Sequence, residues 1–343
     1  MTVTLRPLQP ADAPAWDGFV QAHPDGTFFH RAAWADVISR AFGHATHYTV
    51  AEQDGAITGV LPIVHVRTRL FGNALISVPF CVYGGPLAAD ADTAAALEDH
   101  AETLMRRTGV GVVEFRYRDR VDSDWIERPE LYVTFRKPIS ADDDSNMKMI
   151  PRKQRAMVRK GIQNGLVSVV GHEVDVLHRI YAESVHNLGT PVFSRRYFRI
   201  LMEAFRGDCD VLTVLDDGQA VAAVMNFYFR DEVLPYYGGG TQGARRRAGN
   251  DFMYWEVMRR AAAHGFRVFD FGRSKIGTGA HSFKHNWGFQ PVPLHYRYKL
   301  KPGQGIPDHN PLNPKYRLFI AGWKRLPLPI ANAIGPHIVR GLG

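Results

Sequence analysis

Only two cysteines, Cys81 and Cys209, occur in 343 residues. That is too few for a disulfide framework, and a reducing compartment fits. The N-terminal stretch MTVTLRPLQPADAPAWD has prolines and acids and no apolar core segment, which speaks against a secretory signal. No apolar run reaches the about 18 residues of a membrane-spanning helix. His281 and His285 are four apart, but their glycine-rich context and the lack of a third clear ligand argue against zinc, so no metal is expected. The most telling gap is one of negative charge. Between Asp144 and Glu173 there is no Asp or Glu, while Lys148, Arg152, Lys153, Arg155, Arg159 and Lys160 crowd the first half of that interval. In a chain of net charge +8, such a patch attracts polyanions: tRNA, nucleotide phosphates, pyrophosphate-linked lipids or an anionic membrane face. A solvated helix face explains it equally well.

The rest of the composition is ordinary for a globular protein, with 45% apolar, 22% charged and 11% aromatic residues. The length suggests about two domains of ~150 residues each, and the chain reads as one unit taken twice. A helix at Ala32 to Phe42 is matched by Tyr197 to Phe205. A hairpin signal at Asp54-Gly55 is matched by Asp217-Gly218, each between apolar runs. Val82-Tyr83-Gly84-Gly85 is matched by Tyr236-Tyr237-Gly238-Gly239. A helix from about Thr93 to Arg107 leads to Glu114 in one half; in the other, a helix starting near an Asn250 cap and stopping at Gly265 leads to Asp270. Four features in one order at nearly one spacing imply a duplicated unit. Its crossover helix puts a parallel pair beside antiparallel strands, so each sheet is mixed. Pro138 to about Pro151 reads as the linker, and Lys301 to Pro314 as a breaker-rich extension. The last thirty residues mix large apolar side chains with Lys315, Arg317, Lys324 and Arg325, which suits an interfacial element or a tail docked on its own core.

The densest stretch is Arg267 to Phe289, RVFDFGRSKIGTGAHSFKHNWGF. It combines a short interior strand holding Asp270, a glycine loop, and Lys284 among Phe283, Trp287 and Phe289. A carboxylate in such a strand is costly unless paired, and a lysine flanked by aromatics is a candidate for desolvation. Asp270 capping or pairing with Arg273, with Lys284 as a surface charge, is the purely structural alternative. Gly238 to Asn250 leads into a helix N-terminus, where free N–H groups and Arg245 to Arg247 favour phosphate. Tyr236 and Tyr237 alternate faces of their strand, so only one can line a cleft.

The order helix, hairpin, glycine turn, helix, strand, taken twice, resembles tandem Gcn5-related N-acetyltransferase (GNAT) domains. More closely, it is similar to the Fem family of non-ribosomal peptidyltransferases and to FemAB-like proteins of exosortase and exopolysaccharide systems. The residues that carry this are PRKQRAMVRKGIQNGL (Pro151 to Leu166), YYGGGTQGARRRAGNDFMYWEVMRRAAAHG (Tyr236 to Gly265) and FDFGRS with FKHNWGF (Phe269 to Phe289). The resemblance implies transfer of an acyl or aminoacyl group to an amine, from aminoacyl-tRNA or from acyl-CoA, with no tightly bound cofactor. It places Phe283-Lys284 on the family's aromatic–lysine pair and Arg152, Arg155 and Arg159 on its basic helix. Two departures stand out. The antiparallel helical arm of some Fem enzymes is absent, and the motif Arg246-Arg247-Ala248-Gly249-Asn250-Asp251 ends in Asp where the acetyltransferase signature has glycine or alanine.

The expected fold is therefore α/β with mixed sheets: two tandem GNAT-like domains, residues 1–140 and 141–300, forming one cleft, followed by an extension at 301–343. The expected catalytic group is Lys284, Asp270, Arg273 and Phe283. Tyr236, Tyr237, Arg152, Arg155, Arg159 and His285 are expected to bind substrate, and Arg246, Arg247, Gly249 and Asn250 the donor phosphate. The acceptor is expected to be an amine of a cell-envelope, exopolysaccharide or peptidoglycan-type precursor, met in the cytoplasm or at the inner face of a membrane, with tRNA and a peripheral membrane contact through the tail as partners. A catalytically silent scaffold for an anionic lipid or RNA is the alternative, and convergence of Lys284, Asp270 and Arg273 discriminates between the two.

Overall fold

The structure is a computed structural model and describes residues 3–68, 72–306 and 314–342. The chain divides into two compact units. One comprises Met1–Leu131, Pro293–His309 and Arg340–Gly343, the other Tyr132–Val292 and Asn310–Val339.

The first unit opens with β1 (Thr4–Pro7), α1 (Ala13–Ala22) and α2 (Ala33–Phe42). These helices bury Trp16, Val20, Trp34, Val37 and Ile38 at helical spacing. The hairpin of β2 (Ala45–Gln53) and β3 (Ala56–Arg67) turns at Asp54 and Gly55, whose φ values of 51° and 79° give the twist a two-residue connection needs. Next come β4 (Asn73–Ser77), the short β5 (Leu87–Ala88), α3 (Ala91–Thr108), β6 (Val112–Tyr117) and the short β7 (Ile126–Glu127). Asp90 caps α3 by accepting from the Thr93 N–H at 2.7 Å, and Gly109 ends it in the left-handed region.

In the second unit the same series recurs. It begins with β8 (Tyr132–Pro138), α4 (Asp143–Met149), α5 (Arg152–Gln163) and β9 (Val167–Gly171), then α6 (Val174–Leu188) and α7 (Arg195–Ala204). The hairpin of β10 (Cys209–Asp216) and β11 (Gln219–Phe229) turns at Asp217 and Gly218, again with φ of 48° and 77°. It continues through β12 (Glu232–Gly240), α8 (Gln242–Arg247), α9 (Gly249–Ala263), β13 (Val268–Asp270), β14 (Ser274–Lys275), α10 (Gly279–Asn286) and β15 (Pro291–Pro293). After these come β16 (His295–Leu300), α11 (Pro314–Trp323) and α12 (Leu328–Val339).

Strand order is the same in both units: β1-β2-β3-β4-β6-β16-β7 in one sheet and β9-β10-β11-β12-β13-β8-β14 in the other. β4 pairs parallel with β6 and β12 parallel with β13, while the remaining neighbours run antiparallel, so both sheets are mixed. In sequence, β8 and β16 close the first and second repeats. In space they are exchanged: β8 pairs with β13, and β16 pairs with β6.

This exchange moves the boundaries expected at 140 and 300 to about Leu131 and Pro293. The stretch from Pro138 to Pro151, read as a linker, is an ordered part of the second unit. Asp142 caps α4 by accepting from the Ser145 N–H at 2.7 Å, and buried Asn146 bonds both backbone groups of Ser140. The loop expected from Gly238 to Asn250 holds the end of β12 and all of α8. α9 begins at Gly249 behind a left-handed Ala248, so Asn250 lies inside the helix rather than capping it. The Lys301–Pro314 extension lies partly outside the described residues.

Candidate active site

β12 and β13 pair only at Glu232–Val268 and Val233–Phe269. Past that point β12 continues to Gly240 and β13 stops at Asp270, so the two backbones part company. Glycine is needed at the end of β12. A Cβ on Gly238 would lie 3.3 Å from the Tyr254 hydroxyl, one on Gly239 would meet the Ser184 side chain, and one on Gly240 would meet Asn250. Tyr254 stands against Phe271 and Phe283, with ring centroids 4.9 Å and 5.5 Å away. Trp287 is fully buried behind them.

The charged centre is built on the chain just after β13. Asp270, only 1% exposed, accepts from the Gly272 N–H at 2.7 Å and from the Thr134 hydroxyl at 3.4 Å. Its pairing partner is Arg136 on β8, with Nε 3.3 Å from the carboxylate; Arg136 also pairs with Glu232. Gly272 has φ +65°, and that bend turns its carbonyl towards α10. Lys284 Nζ donates to the carbonyls of Gly272 and Arg273, both at 3.0 Å, and lies 5.7 Å from the Phe135 ring centre. Loss of hydration pulls the Lys284 pKa down to about 7; the charge of Asp270 opposes the shift and that of Arg273 adds to it. Near neutral pH this group is poised between ammonium and amine.

Lys284, Asp270 and the backbone of Arg273 thus meet, whereas the Arg273 guanidinium turns onto the Tyr132 ring at 4.5 Å. Asp270 pairs with Arg136, which the exchanged strand β8 supplies and which was not considered from the sequence. Phe283 is half-buried and packs on the core beside the lysine. His285 is exposed at the end of α10. Tyr237 is a core residue: its hydroxyl meets that of Tyr197 at 2.8 Å inside a ring of aromatics, while Tyr236 is half-buried.

Two expected ligand-binding arginines are held by the protein itself. Arg155 donates to the carbonyls of Lys148 and Ile150, tying down the end of α4. Arg247 pairs with Asp216 at 3.0 Å and donates to the Asn164 carbonyl at 2.8 Å. Arg152, Arg159 and Arg246 are exposed. Gly249 is buried against Ala244, and the Asn250 side-chain oxygen is buried with no hydrogen-bond partner among the described residues. Asp251, the departure noted in the motif, is buried in the first turn of α9 and accepts from Trp287 Nε1 at 3.0 Å and from Gln154. Burial raises its pKa, against the pull of those two donors.

Thr134, Arg136 and Gln154 were missed from the sequence. A threonine and an arginine alternating with apolar residues in YVTFRKP signal a buried polar face, but nothing in that string names its partner strand.

Residues 146–285 match the family model described as an acetyltransferase (GNAT) domain. This segment is a GNAT domain. Among solved structures, FemX matches with a TM-score of 0.66 and 14% identity, covering 85% of this chain and 96% of that one. A tandem GNAT protein from the clavulanic acid biosynthesis pathway matches with a TM-score of 0.54 and 11% identity, covering 89% and 100%. L-PGS from Bacillus licheniformis matches with a TM-score of 0.51 and 13% identity, covering 92% and 97%. At these identities the likeness concerns the fold, and the fold is that of tandem GNAT-like units. No curated protein matches the chain. Within the GNAT domain, β12, α9 and β13 supply the parting strands and the helix beside them, and Lys284 lies at the domain's far end.

Proposed function

We propose that the protein is an N-acyltransferase that moves an acyl or aminoacyl group onto an amine of a cell-envelope or exopolysaccharide precursor. The observation that carries this reading is the Lys284 ammonium, desolvated and held by the carbonyls of Gly272 and Arg273 just after β13. The amine nitrogen attacks the carbonyl carbon of an ester or thioester, and the carbonyl π electrons move onto oxygen. Two of the lysine N–H bonds are occupied by the protein, which leaves the third for that oxyanion. Collapse expels the alcohol or thiol, and the proton lost by the attacking amine leaves with it. Lys284 and Asp270 meet at Gly272, which favours an enzyme over a silent scaffold, although the Arg273 guanidinium lies on Tyr132 and joins them only through its carbonyl.

The donor is best read as a polyanion such as aminoacyl-tRNA rather than acyl-CoA. At the N-terminus of α9, where a pyrophosphate would sit, the first turn carries the buried carboxylate of Asp251, and Arg247 is already engaged. Exposed Arg152, Lys153, Arg159 and Lys160 on α5, with Arg245 and Arg246 on α8, offer positive charge of the kind a nucleic acid backbone takes.

The test is mass spectrometry of small molecules and RNA that copurify with the native protein, followed by transfer assays with each donor class. Charged tRNA in the complex and label transfer from it support the reading. Copurifying acyl-CoA with transfer only from thioesters would overturn the donor assignment, and no transfer from either donor would overturn the enzyme.

A further inference from the structure

The two C-terminal helices are built inside out for a water-facing surface. On α12 the side turned into the protein carries the small residues Ala331 and Gly335 with Val339, and a Cβ on Gly335 would come within 3.0 Å of the Val192 backbone. The side turned away carries Ile330 and Ile334, 48% and 40% exposed and one turn apart. α12 has no Asp, Glu, Lys or Arg at all. A helix partnered only by its own domain places its large aliphatics inward and its charges outward. On α11, Leu318 and Phe319 are 84% and 43% exposed, although Trp323 on the same helix is buried. Among the described residues, these four are a third of the exposed large apolar side chains of the second unit, and they lie on two consecutive helices.

The charge around this face has one sign. Lys324 and Arg325 are exposed in the turn between the helices, and from His309 to the end the sequence holds Lys315, Arg317, Lys324, Arg325 and Arg340 with no Asp or Glu. A second copy seated face to face would bring these cations together, which disfavours self-association. Neither helix is long and apolar enough to cross a bilayer, so an apolar face of this kind lies in the plane of an interface.

We propose that α11 and α12 seat the protein on an anionic lipid bilayer, with Leu318, Phe319, Ile330 and Ile334 entering the headgroup boundary and Lys324 and Arg325 at the level of the phosphates. The inference does not depend on Lys284 or on the donor; it concerns where the protein works.

The test is co-sedimentation of the full chain with vesicles of phosphatidylcholine, with and without about one-third phosphatidylglycerol. The anionic vesicles bind the wild type, and binding weakens as salt rises from about 0.1 M to about 0.5 M. The Ile330→Glu/Ile334→Glu pair abolishes binding, and Leu318→Glu does so on its own helix. Lys324→Gln and Arg325→Gln each weaken binding about fivefold. All of these sites are exposed, so unchanged melting shows that the fold is intact. Failure of the wild type to bind, or equal binding by all the variants, would overturn the proposal. So would a dimer by light scattering that the Ile330→Glu/Ile334→Glu pair dissociates, since the occupant would then be a second copy.

Discussion

Asp270 and Lys284 hold the same residue from opposite sides: the carboxylate accepts the Gly272 N–H at 2.7 Å, and the ammonium donates to the Gly272 carbonyl at 3.0 Å. Two charges that attract each other are thus separated by one left-handed glycine, and the lysine is placed by backbone atoms rather than by a flexible side chain. Every catalytic expectation below rests on this arrangement.

The first concerns pH. Lys284 has a folded pKa of about 7, below its ordinary 10.5. The unfolded chain therefore binds more protons between these values, and wild-type stability rises with pH across that window. Below pH 7 both states hold the proton and the contribution is flat. Denaturant titrations from about pH 6 to 10 should show the wild type gaining on Lys284→Met. A constant difference would mean that the lysine titrates normally.

Asp270→Asn keeps an oxygen for the Gly272 N–H but removes the charge that supports the ammonium. The Lys284 pKa should fall further, moving any pH limb of activity to lower pH. Asp270→Ala should cost about 1–3 kcal/mol by leaving the Gly272 N–H and the Thr134 hydroxyl without their buried acceptor, while Arg136 keeps Glu232. If the limb does not move in the Asn variant, the two residues are not coupled.

Much of this was legible in the sequence. The Asp-Gly turns, the paired helices and the repeated order follow from local rules of backbone twist and helical spacing, and each was found where expected. The desolvation of Lys284 was legible because a glycine loop between two aromatic clusters is dense in signal. Arg136 was not, because its role comes from a strand pairing across the sequence that no local pattern encodes. The same exchange hid the unit boundaries. Arg155 and Arg247 looked like free cations because carbonyl and carboxylate partners brought in by other elements leave no trace beside them in the string.

The strand exchange carries its own consequence. A fragment ending at Ser140 keeps β8 without β13 and lacks β16, so β6 is left as an unpaired interior edge. Such a fragment should aggregate or lack cooperative unfolding by circular dichroism, whereas one extended to hold both β8 and β16 should not. A well-folded monomer of residues 1–140 would refute the pairing.

The arginines of α8 divide by partner. Arg247→Ala should lower stability by about 1 kcal/mol through Asp216 and Asn164 and leave KM alone. Arg246→Ala should leave stability within about ±0.5 kcal/mol but raise KM for a polyanionic donor, the more so at low salt. Equal effects of the two on KM would count against Arg247 being engaged by the protein.

The central claim is that Lys284 stabilises charge that appears only in the transition state, and the measurement that tests it most directly is the turnover of Lys284→Met with the identified donor. The account predicts a fall in kcat of about 10²–10³ with donor Kd unchanged and stability within about 2 kcal/mol of wild type. Lys284→Arg should recover only part of the loss, because a planar fork does not replace a compact point charge between two carbonyls. A Met variant that turns over at the wild-type rate would contradict the assignment of the reaction centre.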